Sequence, residues 1–146
     1  MTKENYTIYH DLIINVSASK IFEAVSKPGE LIHWWPLACS GEEKLNAEYN
    51  FNFTDIYNWF GKVICYKPNT AFHIQMTISN EDWNPTSFGF DIEEITTNKV
   101  QLHFWHTNWQ HCNAEFKQSS FCWAILLNGL KNYVEKRIII PFEERE

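Results

Sequence analysis

His106 is the residue of this sequence best placed for acid–base chemistry. It follows Leu102 and Phe104 at a spacing of two, so on a strand it shares their apolar face. An imidazole titrates near neutrality and could orient a ligand or carry a proton. The same position also suits a core histidine held by a carbonyl or a hydroxyl. His10 stands in a similar relation to Ile8, Leu12 and Ile14.

The remaining reactive residues fall into weaker groupings. His103, His106, His111 and Cys112 are zinc-ligand types, but a spacing of three sends His103 and His106 to opposite faces of a strand. No carboxylate or second cysteine completes a tetrahedral set, so neither metal nor cofactor is expected. Asp91 and Glu93 alternate with Phe90 and Ile92 and should face solvent; with Glu94 they make no catalytic carboxylate pair. Cys65 and Cys112 are possible nucleophiles, yet no neighbour in the sequence lowers either thiol pKa. Cys39, Cys65, Cys112 and Cys122 are scattered, as reduced thiols would be. No phosphate-binding glycine loop and no G-x-S-x-G nucleophile turn occurs.

Such residues need elements to hold them, and the hydropathy pattern supplies these. From residue 114 to about 137 no proline interrupts a helical stripe of Phe116, Ser120, Trp123, Leu127, Leu130 and Val134. Between Tyr49 and Trp109 the period is two instead. Leu45, Ala47, Tyr49, Phe51 and Phe53 alternate with polar residues. Trp59 to Tyr66 follows, then Phe72, Ile74, Met76 and Ile78. Phe88, Phe90 and Ile92 come next, and finally Val100 to His106. Turns fall at residues 55–58, 67–70 and 96–98, and a loop at 80–85. Residues 6–15 read as a first strand. A short helix follows it, with Ser17 as N-cap and an end at Pro28-Gly29, and another helical turn stops at Pro36. Residues 39–44 are a polar connection into the sheet.

Consecutive strands joined by short turns pair antiparallel. A curved sheet of about six to seven strands, short helices after the first strand and a long closing helix make an α+β helix-grip fold. All 146 residues are expected to form one domain. The helix crosses the concave face and can leave a pocket there. Its candidate lining is Trp34 and Trp35 from the helical turn, Tyr49, Phe51, Phe53 and Trp59 from the first hairpin, and Ile74 and Met76. Phe88, Phe90, Phe104 and His106 complete the strands' share, and Trp123 and Leu127 the helix's. Aromatic residues make up 16% of the chain, enough either to line such a cavity or to fill it.

A formal charge of -6 and the lack of a basic stripe exclude the nucleic-acid and stable membrane-docking classes. Without an apolar leader or a span-length run, a soluble cytoplasmic protein is expected. Residues 143–146 read as a solvated tail. Phe121 and Ile125 lie about 160° and 200° around the helix from Trp123 at ~100° per residue, facing away from the sheet. They are covered by the 36–44 loop, or they form a contact such as a weak homodimer.

The residues also resemble a known family. Ala18-Ser19-Lys20-Ile21-Phe22-Glu23-Ala24-Val25, then Pro28-Gly29-Glu30-Leu31 and Trp34-Trp35-Pro36, are similar to the opening of the Hsp90 ATPase activator homologue-like proteins. Gly61-Lys62-Val63-Ile64 before Lys67-Pro68 resembles a strand-turn segment of that family. Val100 to Thr107 resembles its penultimate strand, and Trp123, Leu127, Leu130 and Tyr133 its closing helix. The resemblance implies the START-like (SRPBCC, birch-pollen-allergen-like) fold and a cavity, but no reaction. The expected function is binding of a small apolar or aromatic molecule, or a lipid, between sheet and helix. The alternatives are a chaperone-regulating (Hsp90) interaction module and a cyclase- or hydrolase-type enzyme using His106.

Overall fold

The computed structural model describes residues 5–145. Its strands are β1 (Tyr6–Ile14), β2 (Ala38–Ser40), β3 (Glu48–Asn52), β4 (Asn58–Lys67), β5 (Ala71–Ile78), β6 (Ser87–Thr96) and β7 (Lys99–Trp109). They form one antiparallel sheet in the order β1-β7-β6-β5-β4-β3-β2. The helices are α1 (Ala18–Ser26), α2 (Pro28–Leu31) and the long α3 (Ala114–Lys136). This is the helix-grip arrangement that the alternation predicts.

Local chemistry sets the helix ends. Ser17 Oγ accepts from the Lys20 amide at 3.2 Å, capping α1. Asn113 Oδ1 accepts from the Phe116 amide at 3.0 Å, capping α3. At its far end Arg137 turns left-handed with φ 58°, and its amide reaches back to the Tyr133 carbonyl at 2.9 Å. Pro28 does not simply stop a helix: it opens α2 from the N1 position, where its missing N–H costs nothing.

The inward face of the sheet is carried by Ile8, Ile14, Tyr49, Phe51, Val63, Phe72, Ile74, Met76, Phe88, Phe90, Val100, Leu102 and Phe104, all buried. α3 lays Trp123, Leu126, Leu127, Leu130, Tyr133 and Val134 against this core. The buried face is wider than the predicted stripe: Ser119 and Leu126 are buried, while Phe116 and Ser120 are only half-buried. Lys131 Nζ donates to the Ile13 carbonyl at 2.6 Å, and Glu135 accepts from the Asn15 amide at 2.7 Å, clamping α3 to the end of β1.

Three expectations are corrected. Residues 39–44 are not only a polar connection, because Ala38–Ser40 pairs with β3 as an edge strand. Leu45 leaves the β3 alternation: Asn46 adopts φ 70°, which ends the pleat, and Leu45 is exposed. The solvated tail holds for Glu143 and Glu144, which are exposed, but not for the residue after them. Arg145 is buried, and its guanidinium donates to the carbonyls of Ile140 (2.9 Å), Trp35 (3.3 Å) and Pro36 (3.3 Å). Three carbonyls replace the water a guanidinium would otherwise need, so the segment after α3 is tied to the turn that follows α2. Glu146 lies outside the described residues.

Candidate functional site

Aromatic rings fill most of the space under α3. Trp123 lies 4.4 Å from Phe104, 4.9 Å from Trp35 and 5.6 Å from Phe88 between ring centroids. Trp35 adds contacts to Phe51 at 5.0 Å and Phe88 at 5.3 Å. Offset and edge-on rings at these distances pack a core tightly. Trp34 stacks on Trp35 at 6.2 Å, donates its Nε1–H to the Ala24 carbonyl at 2.9 Å and meets Phe90 edge-on.

Open volume remains at one end of this cluster. A solvent-accessible cleft of about 490 Å³ lies between the first half of α3, the β3–β4 turn, the β5–β6 loop and the C-terminal segment. Trp35, Phe53, Trp59, Trp83, Trp123 and Leu126 give its apolar surface. Trp59 and Trp83 are 4.9 Å apart at 48°, and Trp83 stacks toward Trp123 at 6.0 Å and 28°. Thr54, Tyr57, Asn80, Glu115, Gln118, Ser119, Cys122, Phe142 and Glu143 complete the lining.

Of the residues singled out in the sequence, Trp35, Phe53, Trp59 and Trp123 line this cleft. Tyr49, Phe51, Ile74, Met76, Phe88, Phe90, Phe104, His106 and Leu127 lie in the core behind it, and Trp34 lines a smaller crevice with Ile125 and Arg145. Trp83 escaped sequence reasoning because its loop has no periodicity. Its signal was chemical: a tryptophan amid Asn, Asp and Pro has to bury its ring somewhere. Here its Nε1–H donates to Ser119 Oγ at 3.1 Å, anchoring the loop to α3.

His106 is fully buried and both ring nitrogens are engaged. Trp123 Nε1–H, which can only donate, lies 3.1 Å from His106 Nδ1, so Nδ1 accepts. The proton therefore sits on Nε2, which donates to Thr86 Oγ1 at 2.7 Å. Thr86 passes its own proton to the Trp83 carbonyl. Burial disfavours the imidazolium and lowers the His106 pKa to about 3. The ring is a neutral link between β7, α3 and the cleft's loop, and it has no nitrogen left for a ligand.

The other reactive groups are placed by the sheet. His103 lies on the outer face between Asp11 (2.8 Å) and Glu93 (3.1 Å), opposite in direction to His106. Hydrogen bonds that it donates to Glu93 and then to Asp11 raise its pKa. Asp91, also outside, accepts from His73 Nε2 at 2.7 Å and Trp105 Nε1 at 2.8 Å. His10 Nε2 meets the Ser120 carbonyl at 3.0 Å. The four cysteines form no disulfide, and burial pushes the Cys39 thiol up to about 12. No helix among the described residues is long and apolar enough to cross a membrane.

Residues 15–135 match the family described as activator of Hsp90 ATPase homolog 1-like protein. The chain belongs to this family. Among solved structures it is similar to the Aha1 dimer from Colwellia psychrerythraea, with 26% identity and TM-score 0.81 over 90% of this chain and 97% of that one. It is also similar to a conserved protein of unknown function from Enterococcus faecalis, with 17% identity and TM-score 0.79 over 99% and 82% of the two chains. The fold extends to norcoclaurine synthase from Thalictrum, solved with a transition-state analogue, at 13% identity and TM-score 0.68 over 94% and 98%. No curated protein matches the chain by sequence.

Proposed function

We propose that this protein binds a small apolar or aromatic molecule in the tryptophan-lined cleft. The observation that carries the reading is the cleft itself: about 490 Å³, open to solvent, walled by Trp35, Trp59, Trp83 and Trp123. That volume falls within the range of small-molecule sites, and the indole walls supply apolar contact while Asn80, Glu115, Gln118 and Glu143 add polar groups that can orient a ligand. The ligand enters beside α3 rather than under its middle, where the protein's own rings occupy the space. The family and its helix-grip relatives support a binding role for this fold. The engagement of both His106 nitrogens argues against the rival in which His106 transfers a proton.

Nile red, a neutral dye that brightens in apolar surroundings, tests the reading. The wild type should raise its emission with saturable binding. Leu126→Trp, which fills the cleft from α3, and Trp59→Ala, which removes a half-exposed wall, should each weaken binding by about tenfold. A folded protein without saturable dye binding would return the choice to the chaperone-regulating surface module.

We also infer self-association through the outer face of α3. Phe121 is 65% exposed there, and a relative with 26% identity is a dimer. Ile125, its predicted companion, is half-buried and lines a small crevice with Ile140 and Arg145, to which no residue of 36–44 contributes.

A further inference from the structure

We propose that the cleft selects a cationic ligand: a small molecule with an apolar body and one ammonium-type nitrogen. The inference rests on the binding role proposed above and names its ligand class.

The aromatic faces and the charges of the lining agree on this class. Glu115 and Glu143 both line the cleft, and among the described residues no Lys, Arg or His does so. Neither carboxylate forms an ion pair with a basic group among the described residues. Glu115 is held in position by Asn80, whose Nδ2 donates to Oε1 at 3.3 Å, and it is half-buried. Two acids on a rim would by themselves be a solvated edge. Here they flank a tryptophan wall whose half-exposed member, Trp59, is backed by Trp83 at 4.9 Å and 48° and offers its indole to the cleft. An ammonium over an indole face gains from the ring quadrupole, and a carboxylate beside it adds direct attraction. A neutral aromatic gains only the apolar contact, and an anion meets two like charges near a wall of low dielectric. The chain's net charge of -6 biases encounter in the same direction.

Three probes of one shape read the selection: 1-naphthylmethylamine, 1-naphthylmethanol and 1-naphthoate. Binding is followed by calorimetry at low and at high salt. The amine should bind about tenfold tighter than the alcohol at low salt, and the acid weakest. Raising the salt should shrink the amine's advantage. Glu115→Gln and Glu143→Gln, singly and together, should bring the amine's affinity toward that of the alcohol. Glu48→Gln, an exposed acid of β3 outside the cleft, should leave the preference in place. Equal binding of amine and alcohol, or tightest binding of the acid, overturns the charge selection while leaving the binding reading intact. Failure of all three probes together with Nile red overturns both.

Discussion

Trp123 Nε1 donates to His106 Nδ1 across 3.1 Å, and this bond joins the middle of α3 to the end of β7 in the most aromatic part of the core. Each group satisfies the other in a place buried from solvent. Trp123→Phe therefore leaves Nδ1 buried without a donor and should cost about 1–3 kcal/mol beyond the lost ring volume. Trp123→Ala adds a cavity and should cost about 3–5 kcal/mol. Urea denaturation of both variants checks the order. Equal, small losses would mean that α3 does not depend on this anchor.

The same histidine gives stability a pH dependence of known sign. Its folded pKa is lowered by burial to about 3, against ~6.5 when unfolded. Between those values the unfolded chain binds the extra proton. The contribution of His106 is thus present above pH ~6.5 and is lost as pH falls toward 3, by up to ~1.4 kcal/mol per unit. His106→Gln can accept from Trp123 and donate to Thr86 without titrating. It should lose some stability at neutral pH and lose less than the wild type between pH 6.5 and 4. Parallel stability–pH curves for the two proteins would refute the assignment.

Gly89 supplies a test on the sheet's outer face. It pairs with His73 on one side and Trp105 on the other, and the two rings meet over it at 4.7 Å. A Cβ at this position would strike both rings. Asp91 fixes those rings by accepting from each. Gly89→Ala should therefore destabilise by about 1–3 kcal/mol, although alanine favours a strand no less than glycine does. A neutral or stabilising result in thermal denaturation would show that the rings can move aside.

Much of this architecture is legible in the residues, and the exceptions share a cause. Phe72, Ile74 and Met76 announce β5 because period-two burial is local. The inward pointing of His106 follows from Leu102 and Phe104 in the same way. Trp35, Phe53, Trp59 and Trp123 could be picked as aromatic walls, but the sequence does not say which rings fill space and which border it. That depends on how Trp35 packs between Phe88 and Trp123, a contact among three distant elements. β2 has three residues and exists only because β3 offers an edge. The burial of Arg145, between acidic neighbours, depends on carbonyls more than a hundred positions away.

Arg145 also controls the cleft's fourth wall. The segment it ties down contributes Phe142 and Glu143 to the lining. Arg145→Ala removes its three carbonyl contacts and should free residues 138–145 while leaving the sheet intact. Amide hydrogen exchange should rise in that segment and in the Trp35–Pro36 turn, with little change in β5 to β7. Nile red should bind more weakly, because one wall is lost. Unchanged exchange after residue 137 would show that the apolar contacts of Ile140 and Phe142 suffice.

The last prediction concerns Phe121. A ring 65% exposed on a helix otherwise polar along that face is a costly surface unless something covers it. The C-terminal strap, residues 138–145, lies beside Ile125 and Leu126 instead. A single phenylalanine gives a small contact, so any dimer should be weak and populated only at high concentration. Sedimentation equilibrium over rising concentration should show the wild type moving toward twice its monomer mass. Phe121→Asp should remain monomeric throughout, with little change in thermal stability, since the ring is 65% exposed. The single substitution is the right comparison: altering Ile125 as well would disturb the strap and the cleft together. A wild type that stays monomeric at every concentration removes the contact. A dimer that survives Phe121→Asp moves the interface elsewhere on the molecule.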